Sequence, residues 1–596
     1  MNNLVINLKM RSLSHSLIKC LLIFALVSCT GNSKKSIAIL ETTDIHGVIL
    51  PYDFIEKEKL SFSMASSFTY IKKVRKEKDA TLLLDDGDNL QGQPEVYYYN
   101  FIDTVQPHIV AEVMNYMGYD AGTVGNHDVE AGHAVYDRLV KEDKFPLLAA
   151  NAVNIKTSKP YFKPYTIIEK DGIKIAVLGM VTPAIPNWLP PQLYSGIEFE
   201  DMVATARKWM PVILNEKPDL VVGLFHSGWD RSAARLENTN NLNENGSAAV
   251  AYNVPGFDII FNGHDHKVAN EKFVNSEGDT VLILNGGSRS EKLAEADITF
   301  TSGKINGKRH VKMTGKILNV SDFMPDPEFI AKFAPQSKII DEYVNRVIGS
   351  SSATISSRDA YFGSSAFVDM VHSIQLEITG ADISFAAPLS FDVKINKGPI
   401  TVGDMFKLYT FENMQYTMSL SGDEVQRYLE YSYSAWVNTM KGPSDMLLKF
   451  RTGKDGNPTI TNEKAWLKNQ SYNFDSAAGI DYTVDVSKPE GARIEIKGFT
   501  DGRPFDKNKM YKVAVNSYRG NGGGGHFTEG AGLAKDELRK RLISSTERDL
   551  RYYILKSIEA KKTINPAPLN NWKIIPENWV KLARSSEYAL LFGINK

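Results

Sequence analysis

Five short apolar runs in this chain each end on a residue able to bind a cation. They read SIAILETTDIHG, ATLLLDDGDN, AGTVGNHD, DLVVGLFHSG and DIIFNGHDH. Each is built on four to eight residues rich in Val, Ile and Leu, the pattern of a strand buried on both faces. Helical stretches such as TYIKKVRKEKD and FEDMVATARKWMPVILNEKPD separate them. Strand and helix in alternation predict an α/β fold with mostly parallel strands, the loops after them lying on one edge. Ligands of open α/β sheets bind at that edge. Asp44, His46, Asp88, Asn126, His127, His226, His264 and His266 are therefore expected to converge although they are far apart in the chain.

Oxygen and imidazole donors without thiolate suit Mn, Zn, Fe, Co or Mg. A pair of such ions is a device for in-line displacement at phosphorus. The Asp44-x-His46 spacing puts both side chains on one side of an extended segment, and His264-x-His266 does the same. Asp88 can bridge two cations, one per oxygen, and Asn126 offers a neutral amide oxygen. Gly47, Gly87, Gly125, Gly228 and Gly263 suit tight turns where backbone must approach an ion. His127 follows a ligand directly but need not be one; protonated, it can hydrogen-bond a phosphoryl oxygen. Taken singly, each motif has an ordinary explanation. D-x-H is common, His226 could be a satisfied core histidine, and GHDH could be a turn with polar tips. Co-occurrence in order, each at a strand end, decides for a site.

D-x-H, GD-x-x-x-G, GNH, H-S-G and GHDH in this order resemble the calcineurin-like metallophosphoesterases. More narrowly, they resemble the 5′-nucleotidase and 2′,3′-cyclic-nucleotide phosphodiesterase/3′-nucleotidase group. The resemblance implies a metallophosphoesterase domain over residues 36–320, a four-layer α/β/β/α sandwich. It also implies a C-terminal α+β nucleotide-binding domain over 350–596, joined to the first by a linker helix within 321–349. It implies one metal on Asp44, His46, Asp88 and His266, and a second on Asp88, Asn126, His226 and His264. His127 becomes the transition-state histidine. In 5′-nucleotidases an Asp three positions on partners this histidine. Here Glu130 stands there and is carried as the catalytic partner, with Asp128 an acidic neighbour that can confuse the assignment.

In the second half, the Pro pair and then the apolar spacing of SDFMPDPEFIAKFAPQSKIIDEYVNRVIG predict a loop followed by a bridging helix. GPITVGDMFKLYTFENMQYTMSLSGDEVQRYLEYS and ISFAAPLSFD resemble the substrate-binding domain of the same nucleotidases. Tyr472 in SYNFD and Tyr518 in NSYRGNGGGG resemble tyrosines that sandwich the nucleobase in the cyclic phosphodiesterases. Such stacking is worth about 1–3 kcal/mol per base and is tolerant of base identity. The chain has 26 Tyr and 28 Phe, so on residue type alone either ring is ordinary filler. Gly522 to Gly525 predict either a close backbone approach to ligand or a flexible loop. These segments, and the lack of arginine in AAPLSFDVKI, favour the cyclic phosphodiesterase branch over the 5′-nucleotidases.

At 596 residues the chain is expected to hold two or more domains. An apolar fraction of 43% and a net charge of −1 fit an ordinary globular protein. With no basic excess, a nucleic-acid polymer is not the expected partner; a mononucleotide needs only the local charge that metals supply. Both cysteines lie near the start. Lys9 and Arg11 precede LIKCLLIFALVSC, which is short for a bilayer span and reads as a signal peptide. Leu26-Val27-Ser28-Cys29 resembles a bacterial lipobox. It implies a signal peptide over 1–28, lipidation of Cys29, a tether over 29–35, and attachment to a membrane of the bacterial cell envelope, periplasmic or outer-membrane surface. A plain secretory signal is the alternative. The expectation is a monomeric, lipid-anchored enzyme with two divalent metals. It hydrolyses 2′,3′-cyclic nucleotides and 3′-nucleotides to nucleoside and phosphate. The alternatives are a 5′-nucleotidase/UDP-sugar hydrolase, or a surface nucleotide-binding protein with a decayed site. The intact ligand set speaks against decay.

Overall fold

The computed structural model describes residues 35–236, 243–305 and 308–593, without the side chains of 301–310. The proposed signal peptide and Cys29 lie outside them. Two six-stranded sheets form the N-terminal domain. The first contains β1 (Lys35–Thr42), β2 (Ala80–Asp85), β3 (Ala121–Thr123) and β4 (Leu147–Leu148). The second contains β5 (Tyr165–Lys170), β6 (Ile173–Val181), β7 (Leu220–His226), β8 (Ile259–Asn262), β9 (Val268–Val274) and β10 (Thr280–Gly286). The chain then returns to the first sheet as β11 (Lys292–Ile305) and β12 (Lys308–Asn319). The orders are β12-β11-β1-β2-β3-β4 and β9-β10-β8-β7-β6-β5. Strands β1 to β4 run parallel, as do β6, β7, β8 and β10, with antiparallel strands at the outer edges.

Alternation along each strand explains the layering. Ile37, Ile39, Leu82 and Leu84 point into the gap between the sheets, where they meet Val177, Val222, Leu224 and Phe261. The intervening Ala38, Leu40 and Leu83 pack outward under helices Met64–Glu77 and Ile109–Met117. On the far side Leu178, Val221 and Ile260 pack under helix Met202–Asn215. Both faces of both sheets are thus covered, which is why the runs read as unbroken apolar stretches. The result is the four-layer α/β/β/α sandwich. Because three of the five runs belong to one sheet and two to the other, the edge they share is not that of a single sheet. Their carboxyl ends meet across the gap.

Helix Pro327–Asn345 follows a short 3₁₀ turn and a loop. The Asp326 side chain caps it by accepting from Phe329 N–H, with Pro at the first position. Phe329, Phe333, Ile340 and Val344 bury the helix against the outer layer of the N-terminal domain. The C-terminal region holds a mixed five-stranded sheet that includes β13 (Ile383–Ala386), β14 (Met414–Ser421), β15 (Ser476–Ala478), β16 (Met510–Asn516) and β17 (Leu542–Asp549). Its core is aromatic. Trp436 stacks on Phe474 with centroids 5.3 Å apart, and Tyr428 stacks on Phe385 at 4.0 Å.

The two regions touch at several points. Tyr97 OH donates to Asp549 at 3.0 Å, and the buried Arg551 guanidinium lies 5.0 Å from the Tyr97 ring. Asn521 Nδ2 donates to the Trp188 carbonyl at 2.9 Å. No helix among the described residues is long and apolar enough to cross a membrane.

Candidate active site

Asp44 and His46 follow β1, Asp88 follows β2, Asn126 and His127 follow β3, His226 ends β7, and His264 and His266 follow β8. The ligand atoms form two groups, each within 4.8 Å: Asp44, His46 and His266, and Asp88, His226 and His264. His46 Nε2 lies 3.1 Å from His266 Nε2, which is 3.2 Å from Asp44 Oδ1. His226 Nε2 lies 3.1 Å from Asp88 Oδ2 and 3.2 Å from Asn126 Oδ1. The sequence-derived residues thus come together.

The local backbone is not the extended one expected from the D-x-H and H-x-H spacings. Asp44 (φ 48°), His46 (φ 50°), Asp88 (φ 57°), His264 (φ 73°) and His266 (φ 56°) are all left-handed. The strands stop first, and tight turns aim the donors. Asp44 N–H donates to Gly87 O at 2.9 Å and His46 N–H to Asp88 O at 3.0 Å, so the first two loops brace each other. Non-glycine residues in this region cost energy that surrounding structure must offset, and such residues cluster at functional sites. Gly125 and Gly263 serve by leaving space rather than by φ. A Cβ on Gly125 would lie 2.1 Å from Asp88 Oδ1, and one on Gly263 2.7 Å from Asp44 Oδ2. Asp128 braces the turns and is not the partner of His127, whose Nδ1 meets Glu130. Its carboxylate accepts from the backbone N–H of Asp88, Asn89, Leu90 and Gly125 at 2.8–3.1 Å.

The donor chemistry fits divalent cations. His46 Nδ1 lies 3.0 Å from Gln91 O and His226 Nδ1 2.5 Å from Asp86 O. A carbonyl only accepts, so each Nδ1 carries a proton and each ring turns its Nε2 to the centre, the nitrogen that would bind a metal once it has lost any proton of its own. Burial pushes His46 down to about 4. Burial also opposes charge on His226, but the Asp88 carboxylate beside it more than compensates and raises it well above the usual histidine range. Its hydrogen bond to Asp44, against burial, raises His266. Burial works against ionised Asp88, yet His226 and His127 hold it well below the ordinary carboxylate range. Both groups draw positive charge, and their N and O donors suit a divalent ion.

His127 N–H donates to Asp88 Oδ1 at 2.8 Å, and its Nδ1 lies 2.5 Å from Glu130 Oε2. Burial lowers its affinity for a proton, but Asp88 and Glu130 outweigh burial and lift it to about 9. A cavity of about 390 Å³ opens beside it, a size that accepts a small-molecule ligand. Asn126, His127, Glu130 and His264 of the N-terminal domain line it together with Tyr472 and Tyr518 of the C-terminal region. Sequence reasoning missed Trp188, Glu244, Leu389, Phe411, Asn413 and Asn516, which also line it. Phe411 meets Tyr472 edge-on with centroids 6.1 Å apart, and Trp188 lies 5.4 Å from the His264 ring. Phe411 and Asn413 (in TFEN), Leu389 (in ISFAAPLSFD) and Asn516 (in NSYRGNGGGG) lie in segments already singled out; Trp188 and Glu244 come from stretches without a periodic signal.

The two-sheet sandwich and its donor-rich rim define a metal-dependent phosphoesterase. Residues 37–268 match the family model described as calcineurin-like phosphoesterase, and 347–529 match 5′-nucleotidase, C-terminal domain. The chain belongs to the family that joins these two parts, a group of phosphoric ester hydrolases. It is 26% identical over 92% of its length to the trifunctional nucleotide phosphoesterase protein YfkN of Bacillus subtilis, of which it spans 40%. It is also 26% identical to a Haemophilus influenzae 2′,3′-cyclic-nucleotide 2′-phosphodiesterase/3′-nucleotidase, with 92% of this chain and 88% of that one covered. A solved Staphylococcus aureus structure described as a putative 5′-nucleotidase shares the fold. There the identity is 19% and the TM-score 0.72, and the match covers 91% of this chain and all of that one.

Proposed function

We propose that the protein hydrolyses 2′,3′-cyclic nucleotides and 3′-nucleotides to nucleoside and phosphate. One cavity carries this reading. His127 and the candidate ligand residues Asn126 and His264 line the same cavity as Tyr472 and Tyr518. In this reading the first set takes the phosphoryl group and the two tyrosines take the base. Asp44, His46, Asp88 and His266 would hold one divalent ion, and Asp88, Asn126, His226 and His264 the other. When bound, such a pair supplies Lewis acidity and an activated water for in-line attack.

The chain's own residues do the rest. Asp88 and Glu130 keep a proton on His127, which donates to a phosphoryl oxygen as charge grows there. Tyr472 and Tyr518 stack on the base and hold phosphorus in register with the attacking oxygen. Ring opening of a cyclic substrate leaves a 3′-phosphate, and a second hydrolysis after reseating releases the nucleoside. Leu389, in the turn without arginine, gives the cavity an apolar wall where a 5′-nucleotidase carries cationic grips. Residues 36–320 and 350–596 act as the phosphoesterase and substrate domains, with the helix within 321–349 between them. The leader and Cys29 place the enzyme, lipid-anchored, in the bacterial envelope.

The test is kinetic. Metal-stripped protein is reloaded with single divalent ions and assayed on 2′,3′-cyclic AMP, 3′-AMP and 5′-AMP. The first two should exceed 5′-AMP in kcat/KM by about tenfold or more, a difference of about 1.4 kcal/mol. A clear preference for 5′-AMP would refute the proposal and favour the 5′-nucleotidase reading.

A further inference from the structure

Tyr472 and Tyr518 stand on two separate, very short elements. The first lies in a single 3₁₀ turn, Ser471–Asn473, and the second in a one-turn helix, Ser517–Gly520. Neither element can fix a ring by itself, yet a base sandwich works only at one spacing and tilt. What lies beneath them is Arg519, a residue only 2% exposed. Its Nη2–H donates to the Tyr472 carbonyl at 2.6 Å, and its Nη1–H to the Gly523 carbonyl at 2.9 Å. Its Nε–H donates to Asp475 Oδ2 at 2.8 Å. The guanidinium carbon lies 5.4 Å from the Tyr518 ring centroid. One planar cation therefore ties the Tyr472 turn and the glycine loop together and supports the Tyr518 ring.

Two further features show that the seat is built. Asp475 is buried and also accepts from the Tyr428 hydroxyl, in the aromatic core, so the anchor of the guanidinium is itself fixed. The glycines fit around the clamp. A Cβ on Gly524 would lie 2.2 Å from Arg519 Nη1, and one on Gly523 2.5 Å from Tyr518 Cε2. The close approach that NGGGG permits is thus to Arg519 and Tyr518 themselves. Lysine cannot reproduce this contact, because one nitrogen on a flexible stem cannot reach three acceptors in a fixed plane.

Building on the base-sandwich reading above, the geometry points to Arg519 as a positioning residue. It sets the separation and tilt of Tyr472 and Tyr518, and so the affinity for the base, without touching the phosphoryl group. The test uses the full, metal-loaded protein as wild type, Arg519→Lys, Asp475→Asn, Tyr472→Ala and Tyr518→Ala. Each is assayed by phosphate release from 3′-AMP and from base-free ribose 3-phosphate, with thermal unfolding followed alongside. Arg519→Lys should raise KM for 3′-AMP about tenfold, part of the full stacking contribution, with kcat within about twofold. KM for ribose 3-phosphate should not move. Asp475→Asn, which keeps the bonds to Tyr472 and Gly523 but loosens their anchor, should show the same split more weakly and serves if Arg519→Lys fails to fold. An equal rise in KM for both esters would mean general distortion and overturn the assignment. So would an unchanged KM in Arg519→Lys or, where that variant does not fold, in Asp475→Asn, while the tyrosine variants raise it. If the tyrosine variants leave KM for 3′-AMP unchanged, the sandwich itself fails and the role of Arg519 with it.

Discussion

Gly125→Ala is the sharpest probe of the candidate metal site. The backbone there (φ −92°) accepts any residue, so the substitution adds one methyl group and no conformational strain. That methyl carbon would lie 2.1 Å from Asp88 Oδ1 and 2.4 Å from Asp88 N, whereas ordinary contact begins near 3.4 Å. The nearest atoms include backbone, so no rotamer change relieves the clash. Asp88 must retreat by roughly 1.3 Å, the difference between those contact distances. Its carboxylate belongs to the donor cluster and also receives His127 N–H at 2.8 Å, so both relations are lost together. Misplacement of about 1 Å costs about 100-fold in rate, and at least that loss in kcat/KM is expected. Metal content measured by plasma mass spectrometry should fall below that of the wild type. Gly442→Ala is the control. Its Cβ meets nothing within 4 Å, and its stability should change by no more than about 0.5 kcal/mol. If folded Gly125→Ala kept activity within about threefold and full metal content, the tight packing argued for this turn would be wrong.

Glu130→Gln removes one of the two carboxylates that lift His127 to about 9. Activity that needs protonated His127 is lost as pH rises, so the alkaline limb of kcat/KM should move to lower pH by about one unit, or 1.4 kcal/mol. An unmoved limb would separate Glu130 from the chemistry. Chelation should abolish hydrolysis and divalent ions restore it. Because His226 and His266 hold protons more firmly than usual without metal, binding displaces them, and more metal should be needed at pH 6 than at pH 8. A pH-independent activation curve would contradict the ligand assignment. Glu587 is buried, its oxygens accepting from Leu447 and Leu448 N–H, and burial raises it to about 7. A carboxyl raised on folding stabilises most below its unfolded value, and that contribution fades as pH rises through the folded one. About 3 kcal/mol should therefore be lost between pH 4.5 and 7. Urea unfolding should show a flatter pH profile in Glu587→Gln, and an identical profile would refute the claim.

The donors were readable because chemistry and periodicity coincide in them: each ends a run too apolar for a solvent-facing strand. What could not be read was how the runs divide between sheets. Ile37 and Val222 carry the same signal, yet they face each other across the gap from different sheets. The turns were misjudged for a related reason. Spacing of two residues implies a common face only while the backbone stays extended, and Asp44 and His46 leave the strand before the motif begins. The tyrosines could be named, but not the Arg519–Asp475 pair that holds them, because a buried ion pair between distant loops leaves no pattern in either segment. Trp188 and Glu244 reach the cavity by folding alone.

That the donors are divided between two sheets has a mechanical consequence. The spacing of the candidate cations is gauged by whatever keeps the sheets apart, and that spacer is hydrocarbon. Leu84, Leu224 and Phe261 lie within this filling, remote in character from any phosphate chemistry. Thinning or thickening it by a methylene would slide one half of the ligand set against the other. Reaction rate in this enzyme should therefore respond to the bulk of residues that never meet solvent, metal or nucleotide.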